Sequence, residues 1–338
     1  MPDIMGKMDI AFPHLNIYLE NVPKNFTIFG FTVALYGVII GLGFLIALLI
    51  ISRVARWTNQ SPDDYWDVAV YIIIFSILGA RAYYVFFAWD YYKDNPISVF
   101  NIRNGGLAIY GGVIAGFTTL YIYTRIKKKN FFLFGDTIMY GLVFGQVMGR
   151  WGNFTNREAF GEYTDNLFAM RLPVEMIRSG EITELMRQNM APGTNYVQVS
   201  PTFLYESMWN LCLFIIMLLY CKRKKFDGEI ILLYLGGYGL GRSWIEGLRT
   251  DQLIMHTTGL PVSQMLALCL VIFAVVTDII VRVRLRGTAQ TFAKASNSSS
   301  TEPGKNVSES QNTVLANNEE LQTTDSGSDI EPSDKEHG

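Results

Sequence analysis

Histidine and cysteine are scarce, with three of each in 338 residues. His14 and His256 fall outside the apolar runs, and His337 lies near the chain end. That distribution argues against a zinc site or a histidine-based catalytic triad. Cys212, Cys221 and Cys269 all sit inside apolar runs, without CxxC spacing or a neighbouring histidine cluster, so they read as packed thiols. No metal and no cofactor is expected. Charge is also sparse, at 17% of residues, against about 25% in soluble domains. Much of it follows Arg282, so the formal net charge of −2 carries little information. The glycine pairs Gly41/Gly43 and Gly239/Gly241 have no strand before them, which excludes nucleotide loops and leaves helix packing. Residues Met1–Gly30 lack a basic start, a short apolar core and a small-residue cleavage site, so no cleavable signal peptide is expected. No internal repeat is visible.

What the chain has is long apolar segments. Seven of them approach the ~20 residues needed to cross a bilayer: Thr32–Ser52, Trp66–Ala88, Leu107–Arg125, Phe134–Trp151, Pro201–Cys221, Ile230–Leu248 and Leu260–Val281. The expected fold is an all-α membrane protein with seven transmembrane helices. Residues 1–30 are expected to form an external or interfacial arm, and 31–286 the seven-span domain. A small extracytoplasmic head, about 153–200, separates spans four and five. Residues 287–338, rich in Ser, Thr, Asn and acids, read as a disordered cytoplasmic tail. Arg53 and Arg56, Arg125 to Lys129, Lys222 to Lys225, and Arg282 to Arg286 mark alternate loops as cytoplasmic. The N-terminus is then outside. Because the basic runs bracket apolar spans, they read as solvated loops and no nucleic-acid partner is expected.

On this topology the polar residues of several spans converge on one side. Arg81 lies in the outer half of span two, and Tyr110 near the outer end of span three. Span four delivers Arg150, Asn153, Asn156 and Glu158. Span five begins with Tyr205 and Glu206, and span six ends with Tyr238, Arg242, Glu246 and Arg249. Charge inside a span costs ~2.5–3.5 kcal/mol on insertion scales and is usually paired and functional. Arginines exceed acids well inside the spans, which suggests an anionic ligand; the planar guanidinium suits phosphate. At the outer leaflet the obvious phosphate-bearing ligand is a phospholipid.

GRWGNFTNREAFGE, from Gly149 to Glu162, carries a family likeness. It resembles the Gly-Arg-x-Gly-Asn-Phe-x-Asn-x-Glu-x-x-Gly signature of the prolipoprotein diacylglyceryl transferases. The fixed positions are Gly149, Arg150, Gly152, Asn153, Phe154, Asn156, Glu158 and Gly161. Leu35-Tyr36-Gly37, Gly79-Ala80-Arg81, GGLAIYGG, SPTFLYES and YGLGRSWIEGLRTD resemble further family segments in the same order, so the likeness runs from about Phe29 to Arg286.

The resemblance implies transfer of a diacylglyceryl group from phosphatidylglycerol to the lipobox cysteine thiol of a prolipoprotein, at the outer side of a bacterial plasma membrane. It implies Arg150 and Arg242 as phosphate ligands. Candidate catalytic residues are Arg150, Arg242, Tyr110 and Glu158. Candidate phosphatidylglycerol-binding residues are Arg150, Asn153, Asn156, Gly161, Arg81, Tyr36, Tyr238, Glu206, Glu246 and Arg249. Glu158 and Glu246 are expected to position arginines rather than act as bases. Two departures bear on proton transfer: Tyr110 and Ser200 stand where relatives frequently have histidine. Tyr110, Glu206 and the phosphate itself remain open as acceptors of the thiol proton. The competing readings are an organic-anion transporter and a lipid-binding scaffold. A transporter places its site near the midplane, often between repeats, whereas these polar groups gather at one side.

Overall fold

The computed structural model of the protein describes residues 1–102, 105–250, 252, 254–255 and 259–299, with the backbone alone for 179 and 289–299. His256, His337 and residues 300–338 of the expected tail lie outside the described residues. The elements, in chain order, are strands β1 (Ile10–Phe12), β2 (Ile17–Leu19), β3 (Asn25–Ile28) and β4 (Phe31–Ala34), then helices α1 (Leu35–Trp57), α2 (Pro62–Phe87), α3 (Trp89–Tyr92), α4 (Ile109–Ile126) and α5 (Phe131–Asn156). They continue with β5 (Met170–Pro173), α6 (Glu184–Gln188), β6 (Tyr196–Val199), α7 (Thr202–Tyr220), α8 (Glu229–Ile245) and α9 (Val262–Ser299).

The molecule is mostly helical. Five helices are long and apolar enough to cross a membrane, those beginning at Leu35, Pro62, Phe131, Thr202 and Val262. The other two expected spans are helices as well, but shorter: α4 has 18 residues and α8 has 17. Local chemistry sets the boundaries. Pro62 opens α2 with Asp63 and Asp64 in its first turn, where a fixed φ and negative charge both favour a helix start. Asn130 caps α5 by accepting from the amides of Phe132 (3.0 Å) and Leu133 (3.3 Å). Helix α1 packs on α5, α2 on α4, and α5 on α7, which in turn packs on α8. Helices α2 and α4 meet backbone to backbone: a Cβ on Gly79 would come within 2.8 Å of the Gly111 carbonyl oxygen, and one on Gly111 within 2.4 Å of the Gly79 oxygen.

The all-α expectation holds for the spans, but the molecule is mostly rather than wholly helical. In the N-terminal arm β1 pairs antiparallel with both β2 and β5, and β5 with β6, giving a sheet of order β2-β1-β5-β6. Short runs such as Ile10-Ala11-Phe12 and Met170-Arg171-Leu172 cannot bury their backbone alone; pairing satisfies it. Together the arm and the 153–200 segment enclose a core of Ile10, Phe12, Phe160, Met170, Leu172, Met186, Val197, Val199 and Phe203. Helix α9 runs to Ser299, through a stretch containing Ala289, Gln290, Ala293, Lys294 and Ala295, all good helix formers.

Candidate active site

The signature begins inside α5 and turns back at its end. Arg157, the residue following α5, adopts left-handed φ 55°, and Ala159 does so at φ 56°. Such conformations in non-glycine residues cost of order 1–3 kcal/mol and persist only where the surroundings fix them. Here the surroundings do. The Arg157 guanidinium, almost fully buried, donates to Thr155 O (2.9 Å), Val22 O (2.7 Å) and Met8 O, clamping the N-terminal arm onto the signature. Thr202 Oγ1 donates to Ala159 O. Phe154 packs on Phe203, with ring centroids 4.8 Å apart, and on Phe12, tying α5 to the sheet's core.

The chain then stitches three segments together. Gly161 N donates to Ser200 O (2.9 Å), Ser200 N to Glu162 O (3.0 Å) and Glu162 N to Leu248 O (3.1 Å). A Cβ on Gly161 would lie 2.4 Å from Leu248 O and 2.9 Å from Ser200 Cβ. Gly161 is therefore a close-packing residue that brings the ends of α5 and α8 and the start of α7 to one level. The sequence marked it as a ligand residue; the structure gives it this assembly task.

At that level three guanidiniums converge on one carboxylate. Arg150 Nε lies 2.6 Å from Glu206 Oε2, Arg242 Nη1 2.7 Å from Glu206 Oε1, and Arg249 Nη1 3.7 Å from the same Oε1. Arg242 Nη2 pairs with Glu246, which also accepts from Ser263 Oγ on α9. Glu206 and Glu246 are each 4% exposed, so their charge is supportable only because it is paired. Glu206 thus meets all three arginines, and Arg242 has Glu246 as a second partner. The Arg150 and Arg242 side chains remain 20% and 17% exposed, so their donors are oriented and reachable before an anion arrives.

Glu158 departs from the expectation that it holds an arginine. Its Oε1 accepts from Asn153 Nδ2 (3.1 Å) and Asn156 Nδ2 (3.2 Å). Asn153 Oδ1 in turn lies 3.5 Å from Arg150 Nη1. Glu158 reaches Arg150 only through that amide, because the left-handed turn at Arg157 folds it back over the last turn of α5. Tyr238 lines a small cavity with Glu206 and Arg242. The Tyr36 ring packs against Gly152, 2.5 Å from where a Cβ would be.

Arg81 and Tyr110 are not joined to this network by any hydrogen bond or ion pair among the described residues. Arg81 is buried and directs its donors to the carbonyls of Ser98, Val99, Asn101, Gly105 and Gly106 at 2.6–3.2 Å, holding the loop before α4. Those donors are occupied by loop carbonyls. Tyr110 is 60% exposed. Sequence reasoning missed Arg157, which occupies a variable position of the signature, and Ser263, whose hydroxyl looks ordinary until α9 is packed. Nothing local in the sequence signals either.

The chain matches the model of the family described as prolipoprotein diacylglyceryl transferase over residues 23–280. It is 40% identical over 230 residues to the phosphatidylglycerol–prolipoprotein diacylglyceryl transferase of Clostridioides difficile strain 630, covering 68% of this chain and 84% of that protein. It is 38% identical over 255 residues to the protein of that name from Finegoldia magna, covering 75% and 93%. With that of Clostridium botulinum strain Langeland it shares 40% over 235 residues, covering 69% and 87%. By both measures the chain belongs to the prolipoprotein diacylglyceryl transferase family.

Proposed function

We infer that this protein transfers the diacylglyceryl group of phosphatidylglycerol to the lipobox cysteine of prolipoproteins, with the phosphate held by the arginines around Glu206. The observation that carries the reading is the convergence of Arg150, Arg242 and Arg249 on one buried carboxylate. In the reaction a sulfur–carbon bond forms at the glycerol carbon bearing the phosphate, and the carbon–oxygen bond to phosphate breaks. Negative charge then concentrates on the departing phosphate. Arg150 and Arg242 stabilise it, and Asn153, fixed by Glu158, orients Arg150. Both Glu206 oxygens face guanidiniums, and Tyr110 stands apart. The thiol proton therefore passes to the phosphate, which leaves as glycerol phosphate. The arginine site is held by salt bridges at a helix-end level, an arrangement that favours an enzyme over an organic-anion transporter.

The full topology is seven spans with the N-terminus and the sheet outside. Parity supports it. β1 and β5 share a sheet, so an even number of crossings separates them, and α1, α2, α4 and α5 supply four. Glu162 bonds both Ser200 and Leu248, so α7 and α8 descend and return. The basic loops fall on the opposite side. An apolar groove of about 880 Å3 between α2 and α4, lined by Phe75, Leu78, Ile114 and Ile122, is chemically suited to membrane lipid.

The test is transfer of labelled lipid from phosphatidylglycerol vesicles to a lipobox peptide by the purified chain. A thioether product with stoichiometric glycerol phosphate, absent when the peptide cysteine is serine, is expected. No product from either peptide would remove the reading.

A further inference from the structure

One helical turn from the arginine cluster lies a second polar layer. Gln146 precedes Arg150 by four residues on α5, Asn210 follows Glu206 by four on α7, and Tyr238 precedes Arg242 by four on α8. Residues four apart share a helix face and lie roughly 6 Å apart along the axis. Each step runs from the end of its helix toward the middle. The layer is tied together. Ser207 Oγ donates to Val147 O (3.3 Å), joining α7 to α5. Gln146 Nε2 donates to the Tyr234 hydroxyl (2.8 Å), and the Tyr234 ring stacks on that of Tyr238 with centroids 5.6 Å apart. Asn210 and Tyr238 line the small cavity that Glu206 and Arg242 also line; it holds about 10 Å3, space for one water-sized group. Two amides of the layer are not fully paired. Gln146 Oε1 is buried without a hydrogen-bond partner. Because a tyrosine hydroxyl both donates and accepts, that amide can turn over and present an N–H while keeping its bond to Tyr234. Asn210 is 2% exposed, and its side-chain amide has no hydrogen-bond partner among the described residues. Buried polar groups are nearly always paired, so unpaired ones beside a binding site point to a partner that the ligand brings.

We propose that Asn210 and Gln146 donate hydrogen bonds to the two ester carbonyls of the diacylglyceryl group, so that this layer selects ester over ether lipid. The proposal rests on the transferase reading. With the phosphate on Arg150 and Arg242, the glycerol esters are the next polar groups along the lipid, on its acyl side. They therefore point toward the middle of the spans, where the layer lies. A carbonyl oxygen is an acceptor and matches an amide N–H. A dialkyl ether lipid with the same headgroup satisfies the arginines but leaves both amides unpaired, which a site built to hydrogen-bond its substrate penalises.

Diester and diether phosphatidylglycerol are compared, as ligands and as substrates, with the full chain in phosphatidylcholine nanodiscs. The unaltered chain should prefer the diester by about ten-fold in affinity and in kcat/KM. Asn210→Leu, similar in size but without the amide, should bring the two lipids to within about two-fold of each other, chiefly by raising KM for the diester. Gln146→Leu should narrow the ratio as well, and it carries the test if Asn210→Leu does not fold. A packing role, or a cavity that merely holds a water, would change both lipids alike. An unchanged diester-to-diether ratio in the folded variants would therefore overturn the proposal, as would equal use of the two lipids by the unaltered chain. Diester-selective binding that depends on Asn210, without any transfer, removes the transferase reading and leaves the site. Transfer without that selectivity removes the site.

Discussion

Helix α5 carries buried charge at both ends, and the two ends are built differently. Near its start, Asp136 accepts from Lys224 Nζ (3.0 Å), Gly228 N (2.8 Å) and Ile231 N (2.9 Å). One carboxylate meets one ammonium and two amides that open α8, and Lys224 has Asp227 as a second partner. That set is closed and serves to pin α5 to α8. Near its end, Arg150 joins a set in which three guanidiniums converge on the one carboxylate of Glu206 and the Arg150 side chain stays 20% exposed. The first set joins two helices through a buried carboxylate closed in by donors; the second gathers guanidiniums that keep some exposure. The contrast explains why charge inside a span is not by itself evidence of function.

The comparison can be broken by mutation. Removing the guanidinium of Arg242 should lower lipid transfer per folded molecule about 1000-fold, in the range seen when a preorganised charge donor is lost, and should lower stability as well, because buried Glu246 loses its arginine. Asp136→Ala should lower stability without that loss of transfer. It leaves Lys224 and two amides without their acceptor, a loss of about 3–5 kcal/mol for a broken buried pair. Thermal unfolding should drop by many degrees while transfer per folded molecule stays within about two-fold. Equal losses of transfer per folded molecule in the two variants would erase the distinction. A smaller effect is expected at Tyr110→Phe. With that side chain 60% exposed and outside the network, the rate profile from pH 6 to 9 should stay within about two-fold of the unaltered chain; loss of its alkaline or acid limb would return Tyr110 to proton transfer. The smallest concerns the arm. Burial raises the pKa of Asp9, but the Tyr18 hydroxyl and the Asn21 and Gly6 amides outweigh it, so the carboxyl titrates below its usual value of 3.8. Its stabilising contribution is present above about pH 4 and lost as the pH falls through the lower folded value. Asp9→Asn should lower the melting temperature above about pH 4 and flatten the acid limb, so that the two proteins converge as the pH falls.

The sequence made the apolar spans and the signature legible, because both are local: a run of ~20 apolar residues needs no partner to be seen. Arg150, Arg242, Glu206 and Glu246 were readable as a group once topology put them at one level, although which oxygen faces which nitrogen was not. Glu158 was misread as an arginine partner because the left-handed turn at Arg157 lies in a position where glycine or asparagine would have announced it. The sheet was invisible for a different reason. Ala11 pairs with Arg171 across a separation that no periodicity reports, and three-residue strands carry too little alternation to stand out. Arg81 shows the limit of charge counting: its five donors serve loop carbonyls that the sequence cannot place in space.

The central claim is that the arginines around Glu206 hold the phosphate during transfer. The most direct measurement is the single-turnover rate of lipid transfer by Arg150→Ala, reconstituted at matched folded concentration with saturating phosphatidylglycerol and lipobox peptide. Loss of about 1000-fold in rate, with unaltered insertion and melting temperature, is predicted. A rate within a few-fold of the unaltered chain would contradict the account.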